Sequence, residues 1–546
     1  MTEDLASPSQ SEQSPLIPLS RPDNETTPQL SIARGFGIAV FMELLILIQT
    51  TNISMMTTAQ SDIAADLDAF AEATWFTSAY LIAASSVTPL TGRLAEIFTP
   101  RLYVIFSSTI LAIGLFITAA APNLAVFLLG RAVSGVGSGG LMSIAIILAV
   151  DLSSPKRRGL CIGLISAGYT TGLASGAVLA GLMTSSMGWP PQQRLIFWIQ
   201  APAALVLGPL LFLAIPASSG GRSPLDYRSM LRSLARVDYV GALALTFSVV
   251  LLLSSLASPE ILIWPLPLSA LCFAIFLFIE WRWTREPIIP VRLLQSRSVL
   301  MTCLAGLGLM MARWAVLFYT PVYAMAVRGW SPASAGLILV PTNAGFATGG
   351  LLVGWLHIRK STSYYVIDSS CLVIFALFVL AISGLSFLST PHSPAILYLA
   401  TTFLNGLFAG SLMNYTLSHV LHLTSPQMHY IVSSLIATSR GFAGSFGSAV
   451  GGGFFTRILK ASLEKGLAQH GLPPQPDLIR TLLGSPATVS RLTGLERLVA
   501  IQGYEHATRM LFLAGGLVAL AATAFQAGTG WTSEVDDGKG NSEQEV

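Results

Sequence analysis

Residues 135–155 read GVGSGGLMSIAIILAVDLSSP, and residues 406–426 read GLFAGSLMNYTLSHVLHLTSP. Aligned without gaps at an offset of 271 residues, the two stretches share two glycines four apart, a Leu-Met pair and the final Ser-Pro. The same offset pairs Gly181 with Gly452 further along the chain. Chance matches are common among apolar helices, but a shared loop end is harder to obtain by chance. The chain is therefore predicted to contain an internal duplication.

The composition indicates which solvent surrounds these stretches. Of the 546 residues, 53% are hydrophobic and only 10% are charged, and the mean hydropathy is +0.66. Soluble globular domains carry about 25% charged residues, so this chain lacks the charge to cover a water-exposed surface. The formal net charge of +3 is too small to indicate nucleic-acid binding. The four cysteines form no closely spaced pair, so no disulfide scaffold, metal site or cofactor is predicted.

Apolar runs of about 20 residues, the length that a helix needs to cross a bilayer, recur along the chain. They predict an all-α membrane protein with fourteen transmembrane helices. The spans are placed near residues 36–57, 75–91, 102–121, 124–150, 160–185, 195–215, 238–257, 261–281, 299–325, 333–356, 364–388, 394–421, 431–458 and 509–527.

Positive charges predict the orientation of these spans, because Lys and Arg in short loops stay in the cytoplasm. Loops after even-numbered spans, up to span ten, hold fifteen Lys and Arg residues, whereas loops after odd-numbered spans, up to span eleven, hold two. Both chain termini are therefore predicted to be cytoplasmic. The loop 459–508 carries several basic residues yet falls on the opposite side. Its Leu463, Leu467, Ile479 and Leu482 give it an amphipathic helical pattern.

Together, the duplication and the spans predict two six-helix bundles joined by two inserted helices. Parallel repeats of this kind are a transporter architecture, in which substrate lies near the membrane midplane between the halves. The predicted units are a disordered cytoplasmic tail at 1–31, an N-terminal bundle at 32–215, a cytoplasmic linker at 216–237, the inserted helices at 238–282, a C-terminal bundle at 283–527 that includes the non-cytoplasmic loop 459–508, and a cytoplasmic tail at 528–546.

Two short motifs carry a family resemblance. The loop after span two reads Gly-Arg-Leu-Ala-Glu-Ile-Phe-Thr-Pro-Arg at 92–101, and span four contains Leu-Gly-Arg-Ala-Val-Ser-Gly-Val-Gly at 129–137. Both resemble signatures of the major facilitator superfamily, in particular its fungal, fourteen-span drug:proton antiporter branch. The resemblance implies the major facilitator fold and a gate in the loop, formed by Gly92, Arg93, Glu96 and Arg101. Glu96 replaces the family's usual Asp, and Thr99-Pro100 replaces its usual Gly.

The span-four motif contains Arg131, to which the resemblance assigns a role in proton coupling. An arginine inside an apolar span is costly and is a functional candidate by default. The alternative is a structural arginine paired with backbone carbonyls.

Span five resembles the antiporter motif of this branch, a smooth glycine face at the seam between the halves. Ala177 and Ala180 depart from that motif, so a plain close-packing helix is the alternative. The predicted seam residues in spans five and thirteen are Gly168, Gly172, Gly176, Gly181, Arg440, Gly444 and Gly447.

Span one departs from the family pattern, because Asn52 stands where the resemblance places a membrane-embedded Asp. An amide cannot take up and release a proton at physiological pH. Glu43 lies nine residues earlier and, at 100° per residue, shares a helix face with Thr50, Ser54 and Thr57. Burial in a low-dielectric medium lets a carboxyl exchange protons near neutral pH, so Glu43 is the predicted substitute proton site. The alternative is a neutral Glu held by a neighbouring helix.

The family architecture places spans one, four, nine and twelve around a central cavity. Asp368, near the cytoplasmic end of span eleven, is expected to pair with Arg359 or Lys360, and no acid is expected beside His419. Besides Glu43 and Arg131, the residues predicted to line the substrate cavity are Thr50, Asn52, Ser54, Arg313, Asn405 and Asn414.

The sequence thus predicts a secondary active transporter, and not an enzyme, that moves drugs, toxins or small organic metabolites with the proton gradient. The sequence has no Gly-x-x-x-x-Gly-Lys-[Ser/Thr] loop, so ATP is not the expected direct energy source. Vacuolar uptake of basic amino acids and siderophore transport are alternatives of the same class. An integral-membrane enzyme and a transport-dead sensor are alternatives of other classes. Glu12, Leu16 and Ile17 match an acidic dileucine pattern read by sorting adaptors, and the expected location is the plasma or vacuolar membrane.

Overall fold

The computed structural model of the protein describes residues 31–152, 155–187, 194–216, 238–258, 260–282, 284, 291–354, 364–424 and 428–530, and over these residues its regular structure is entirely helical. Short 3-10 helices lie at Val291–Gln295 and Pro486–Arg491. The seventeen α-helices of the described part are α1 Ile32–Ser54, α2 Met56–Asp66, α3 Trp75–Ala120, α4 Leu124–Ser138, α5 Leu141–Leu152, α6 Pro155–Met187, α7 Arg194–Ala214, α8 Tyr239–Ala257, α9 Pro265–Arg282, α10 Arg297–Ala326, α11 Pro332–Leu337, α12 Leu339–Leu352, α13 Tyr364–Leu388, α14 Ala395–Leu423, α15 His429–Gln469, α16 Pro476–Gly484 and α17 Gly494–Ala527.

Eleven helical stretches of the described part are long and apolar enough to cross a membrane. They coincide with eleven of the fourteen predicted spans. The other three predicted spans, 75–91, 160–185 and 431–458, lie in α3, α6 and α15. The helices α6 and α15 are less hydrophobic than most others because they are rich in Gly, Ser and Thr. The multi-pass helical architecture is therefore established, and a total of exactly fourteen crossings stays a prediction.

One long helix holds two predicted spans. Within α3 the backbone leaves the helical region only at Thr99, which has φ +67° and ψ 147° and precedes Pro100. Proline disfavours helical geometry at the residue before it, and a β-branched residue rarely adopts a positive φ. The break therefore falls at Thr99-Pro100, where the family motif that this loop resembles has its usual glycine.

The two duplicated stretches make equivalent contacts. A methyl group on Gly135 of α4 would overlap the carbonyl oxygen of Tyr80 in α3, and one on Gly406 of α14 would overlap the carbonyl oxygen of Thr342 in α12. Four residues later, Gly139 at the end of α4 and Gly410 within α14 make the same kind of contact, with the carbonyl oxygens of Ala84 and Phe346. Glycine is required at these positions because the helix backbones touch directly.

The pairing of helices also recurs along the chain. In the first part of the chain, α1 to α7, the helix α1 packs on α6 and α7. In the second part, α10 to α17, the helix α10 packs on α15 and α17. Contacts between the two parts run from α6 to α11 and α12, and from α3 to α15; we call these contacts the seam. The helices α8 and α9 pack on each other, and α8 also contacts α3 and α15.

The loop predicted at 459–508 is shorter in the structure than in the sequence prediction. The helix α15 continues to Gln469 and α17 already begins at Gly494, because the amphipathic pattern lets both helices extend beyond their apolar spans. The intervening residues 470–493, which we call the cover segment, contain α16 and a 3-10 turn. The four residues that define the amphipathic pattern are all buried, namely Leu463, Leu467, Ile479 and Leu482.

Candidate functional site

A fully buried guanidinium lies at the centre of the first group of helices. Arg131 of α4 donates from Nε to the carbonyl of Phe76 at 2.7 Å, from Nη1 to Asn52 Oδ1, and from Nη2 to the Asn52 carbonyl at 3.5 Å. Asn52 in turn donates to Gln200 Oε1 at 3.0 Å. The ring of Tyr80 lies 4.6 Å below the guanidinium. In the described part of the chain, neutral oxygens and an aromatic face therefore hold this cation, and no carboxylate pairs with it.

The arrangement around Arg131 explains why Asn52 is compatible with the fold. An amide offers the oxygen that the guanidinium needs and, unlike a carboxylate, also donates to Gln200. The contacts match the structural alternative for Arg131, in which backbone carbonyls satisfy the side chain. A role of Arg131 in proton coupling stays a prediction.

The polar stripe of α1 faces the glycines of α6. Glu43 is partly exposed, and in the described part of the chain no Lys or Arg forms an ion pair with it. In this conformation Glu43, Thr50 and Ser54 fill the groove on α6, whereas Thr57, in α2, lines a cavity. Three of the seven predicted seam residues, Gly168, Gly172 and Gly176, therefore pack against α1 within the first group of helices. A methyl group on each glycine would overlap its partner's side-chain oxygen, in the pairs Gly168 with Glu43, Gly172 with Thr50, and Gly176 with Ser54.

A second buried guanidinium, that of Arg313, belongs to α10. Its Nη2 donates to Asn343 Oδ1 of α12 at 3.1 Å, and the Phe346 ring lies 4.3 Å from it. Arg313 is 4% exposed, and its Nη1 has no hydrogen-bond partner among the described residues. Tyr169 of α6, across the seam, is close enough to Arg313 to interact with it electrostatically. Arg313 is thus buried between the two groups of helices with most of its donors unused.

The asparagines predicted in span twelve have different surroundings. Asn414 donates to the carbonyl of Gly350 in α12 at 2.7 Å. Asn405 is fully buried, and in the part of the chain that the structure describes neither polar atom of its amide has a hydrogen-bond partner. A buried amide without partners is costly, so Asn405 is the better candidate of the two for contacting a ligand.

The predicted residues of span thirteen lie within the second group of helices. Arg440 donates from Nη2 to Thr416 Oγ1 at 2.7 Å and to the Met413 carbonyl at 3.1 Å, both in α14. Gly444 and Gly447 pack against Trp314 of α10. The glycine face of α15 therefore covers α10, as the glycine face of α6 covers α1.

Direct contacts across the seam involve small residues. Gly181 of α6 lies against Ala333 of α11, and Gly336 of α11 lies against the backbone of Ala177. On the other side, α3 meets α15 through pairs of hydroxyls, Ser85 with Ser445 at 2.7 Å and Ser78 with Ser448 at 3.3 Å. Small residues allow such helices to approach closely without interlocking long side chains, so the seam is suited to separate and re-form.

A cavity lies at the end of the molecule where α2 meets α3. The cover segment closes over it and touches both parts of the chain. None of the six predicted cavity residues lines it. Its walls are formed by Thr57, Gln60, Thr74, Thr77, Phe318, Tyr319, Val322, Ser448, Phe455, Thr456, Leu483, Pro486 and Tyr504.

Polar contacts hold the cover segment on both sides. Arg480 donates to the Asp68 carbonyl at 2.9 Å and lies 3.4 Å from its carboxylate. Tyr504 of α17 donates its hydroxyl to the Leu482 carbonyl. Burial raises the pKa of Asp62 in α2, and the positive charge of Arg491 partly opposes that rise.

Only part of the predicted gate is described by the structure. Arg101 donates from Nε to the carbonyl of Phe212 at the end of α7, at 2.7 Å, and its guanidinium stacks 4.0 Å from the Phe212 ring. The surroundings of Gly92 and the side chains of Arg93 and Glu96 are outside the described part of the structure. Glu12, Leu16 and Ile17 are outside it as well. Arg101 satisfies a free carbonyl at a helix end, and a gating role stays a prediction.

Asp368 lies beside His419, so the expectation of no acid there is wrong, whereas the expected pairing of Asp368 with Arg359 or Lys360 stays a prediction. The Oδ1 of Asp368 lies 2.8 Å from Nδ1 of His419, and both side chains are almost completely buried. His419 also contacts Gln526 and the carbonyl of Gly530 at the end of α17. Arg359 and Lys360 lie outside the described residues. The sequence offered one weak signal for this pair, since both residues stand near the same predicted membrane face in adjacent spans.

Comparisons with known proteins agree on one family. A model of the Major Facilitator Superfamily matches residues 42–448. "Efflux pump dotC" of Dothistroma septosporum is 27% identical over 332 residues, which are 59% of this chain and 54% of the pump. "Efflux pump FUS6" of Gibberella moniliformis is 27% identical over 494 residues, which are 87% of this chain and 80% of that pump. The chain thus spans about half the length of the first pump and most of the second.

The fold also resembles solved transporter structures. A bacterial homologue of the human lysosomal transporter Spinster, in an inward-facing and occupied conformation, superposes with a TM-score of 0.60. The match covers 92% of this chain and 97% of that one at 14% sequence identity. At this identity the similarity shows the fold alone.

Proposed function

Because the chain belongs to the Major Facilitator Superfamily, and is therefore a multi-pass membrane transporter, we propose that it exports drugs, toxins or small organic metabolites in exchange for protons. Its organisation is proposed to be two six-helix bundles, at 32–215 and 283–527, with α8 and α9 inserted between them. The efflux pumps named above support the direction of transport. The proposed location is the plasma or vacuolar membrane, with both termini in the cytoplasm.

The seam carries this proposal. Alternating access requires two bodies that can part at one end and close at the other. The contacts of Gly181 with Ala333 and of Gly336 with Ala177 are short backbone approaches between helices from different parts of the chain. A seam made of such contacts can re-form in one register after opening, because the glycine grooves fit only their own partners.

Glu43 is the proposed proton carrier. Asn52 leaves Arg131 in a closed network of neutral acceptors, so this network offers no acidic proton. Glu43 has no ion-pair partner in the described part and lies against Gly168 of α6. A carboxyl that gains or loses a proton there changes the charge at the α1–α6 contact, which in this proposal couples protonation to the movement of α6.

Transport into sealed vesicles tests the proposal. Purified protein in vesicles, under an imposed pH gradient, is assayed with a panel of azoles, dyes, organic acids and basic amino acids. Glu43→Gln keeps the shape of the side chain and is expected to abolish gradient-driven accumulation while leaving exchange of labelled for unlabelled substrate intact. Glu260→Gln, at a site where the carboxylate is 86% exposed, is the control and should behave as wild type. Normal accumulation by Glu43→Gln would eliminate Glu43 as the proton carrier. Absence of transport of every panel compound by the wild-type protein would refute the proposed export itself.

A further inference from the structure

Among the described residues, Arg131 and Arg313 are buried inside the helices and Arg440 is half-buried, and the three differ in how well their donors are satisfied. Arg131 uses all three of its nitrogens on protein oxygens. Arg440 uses Nη2 twice and leaves Nε without a partner. Arg313 makes one hydrogen bond, to Asn343, and its Nη1 is left without a partner. A buried charge without sufficient partners is strongly unfavourable, so Arg313 is the buried cation that most needs a further acceptor.

The atoms around Arg313 are also donors. Asn343, which is 1% exposed, gives its oxygen to Arg313 and leaves its Nδ2 without a partner. An amide donor beside a guanidinium with free N–H groups is a site for an acceptor, and it repels a cation. Within the described residues no carboxylate pairs with Arg313, and Glu43 packs against Gly168 instead.

We infer that Arg313, with Asn343, binds the carboxylate of the transported substrate, so that the substrates are organic anions with an apolar body. This inference rests on the proposed function. A guanidinium presents N–H groups in a planar fork that matches a carboxylate, which favours a carboxylate over a spherical ion. The ring of Phe346, 4.3 Å from the guanidinium, supplies a surface for the apolar body.

Entry to this site depends on the seam. Tyr169 of α6, in the other part of the chain, is close enough to Arg313 to interact with it electrostatically, and in the present conformation Arg313 is almost completely buried. When α6 moves away from α10 and α12, Arg313 loses the cover that excludes a ligand. The site is therefore accessible in one state of the alternation and closed in the other.

Three fluorescent probes with one body test the inference: 1-pyrenebutyrate, 1-pyrenebutanol and 1-pyrenebutylamine, which are an anion, a neutral alcohol and a cation. Binding to the full-length protein in detergent is measured by energy transfer from tryptophan to pyrene. Wild type is expected to bind the carboxylate most tightly. Arg313→Gln should weaken carboxylate binding about 10- to 100-fold and leave binding of the alcohol unchanged. Arg313→Lys, which keeps the charge but not the fork, should give a smaller loss.

Arg509→Gln is the matched control, because it removes an arginine that is 42% exposed and pairs only loosely with Glu505. It should not change the affinity for any probe. Should Arg313→Gln fail to fold, Asn343→Ala tests the same site and should also reduce the preference for the carboxylate.

Equal binding of the three probes by wild type, a preference for the amine, or an unchanged carboxylate affinity in Arg313→Gln would each overturn the inference. Accumulation of the probes in vesicles under a pH gradient is measured separately. Accumulation of the alcohol or amine without the carboxylate would keep the proposed export and refute the anion site.

Discussion

Replacing Gly336 by alanine is expected to destabilise the closed seam specifically. The added Cβ would lie 2.6 Å from the carbonyl oxygen of Ala177, 2.7 Å from its carbonyl carbon and 2.9 Å from the nitrogen of Val178. Ordinary contacts begin near 3.4 Å, so α11 must retreat from α6 by about 0.8 Å. All three obstructing atoms are backbone atoms, and no side-chain rotation can relieve the overlap.

The size of the effect follows from where the overlap exists. Inserting a methyl group into a close-packed contact costs about 1–3 kcal/mol, and here only the closed state bears that cost. The gain in helix propensity from Gly to Ala, about 1 kcal/mol, applies to both states and cancels. The equilibrium between closed and open seam should therefore shift about 5- to 150-fold towards the open state.

Cysteine labelling reports this shift. In a background without the four native cysteines, Thr456→Cys places a thiol in the wall of the cavity beneath the cover segment. Its reaction rate with a water-soluble maleimide, measured in detergent, should rise at least about fivefold when Gly336→Ala is added.

A second glycine supplies the control for this experiment. A methyl group on Gly441 of α15 would have no atom within 4 Å, so Gly441→Ala should leave the labelling rate unchanged. Equal rates in the two folded alanine variants would refute the claim that the contact between Gly336 and Ala177 holds the seam closed.

Three further predictions concern stability, measured as the Tm of the purified protein. Thr99→Gly should raise the free energy of unfolding by about 1 kcal/mol, because glycine adopts φ +67° without the strain that threonine bears before Pro100; an unchanged or lower Tm would contradict this. Asp368→Ala should cost about 1–3 kcal/mol, since it removes a buried hydrogen-bonding partner of His419, and a smaller effect would contradict the pair's importance. Burial raises the pKa of Asp62, so ionisation of this group lowers stability as the pH rises through that pKa. Asp62→Asn should therefore raise the Tm at pH 7 and not below about pH 4, and a pH-independent difference would refute this cause.

Sequence reasoning predicted the fold where a local pattern dictates a helix or a close contact. Apolar runs placed the helices, and the glycines shared by 135–155 and 406–426 marked backbone contacts with α3 and α12. Three predicted spans are not among the eleven stretches that are long and apolar enough to cross a membrane, and they lie in α3, α6 and α15. These helices build much of the seam and carry many small and hydroxyl side chains. Hydropathy is least informative where helices contact one another most closely.

The site was predicted less completely, because periodicity identifies a helix face but not what covers it. Glu43, Thr50 and Ser54 share one face of α1, as predicted from 100° per residue, yet that face meets α6 in this conformation. Asp368 and His419 lie about 50 residues apart and meet only because α13 and α14 are neighbours. Such a contact depends on tertiary packing, which a single sequence does not reveal.

The two charges in these proposals, Glu43 and Arg313, both lie close to adjacent residues of α6. Glu43 lies against Gly168, and Arg313 lies near Tyr169. Arg131, by contrast, is held by α1 and α3 and already donates from each of its three nitrogens. Coupling requires that two ligands bias the same conformational equilibrium. A proton on Glu43 and an anion on Arg313 would both alter the contacts of one helix turn in α6, the helix proposed to open and close the seam. In this proposal, coupling does not require an acid at position 52, where Asn52 holds the buried arginine.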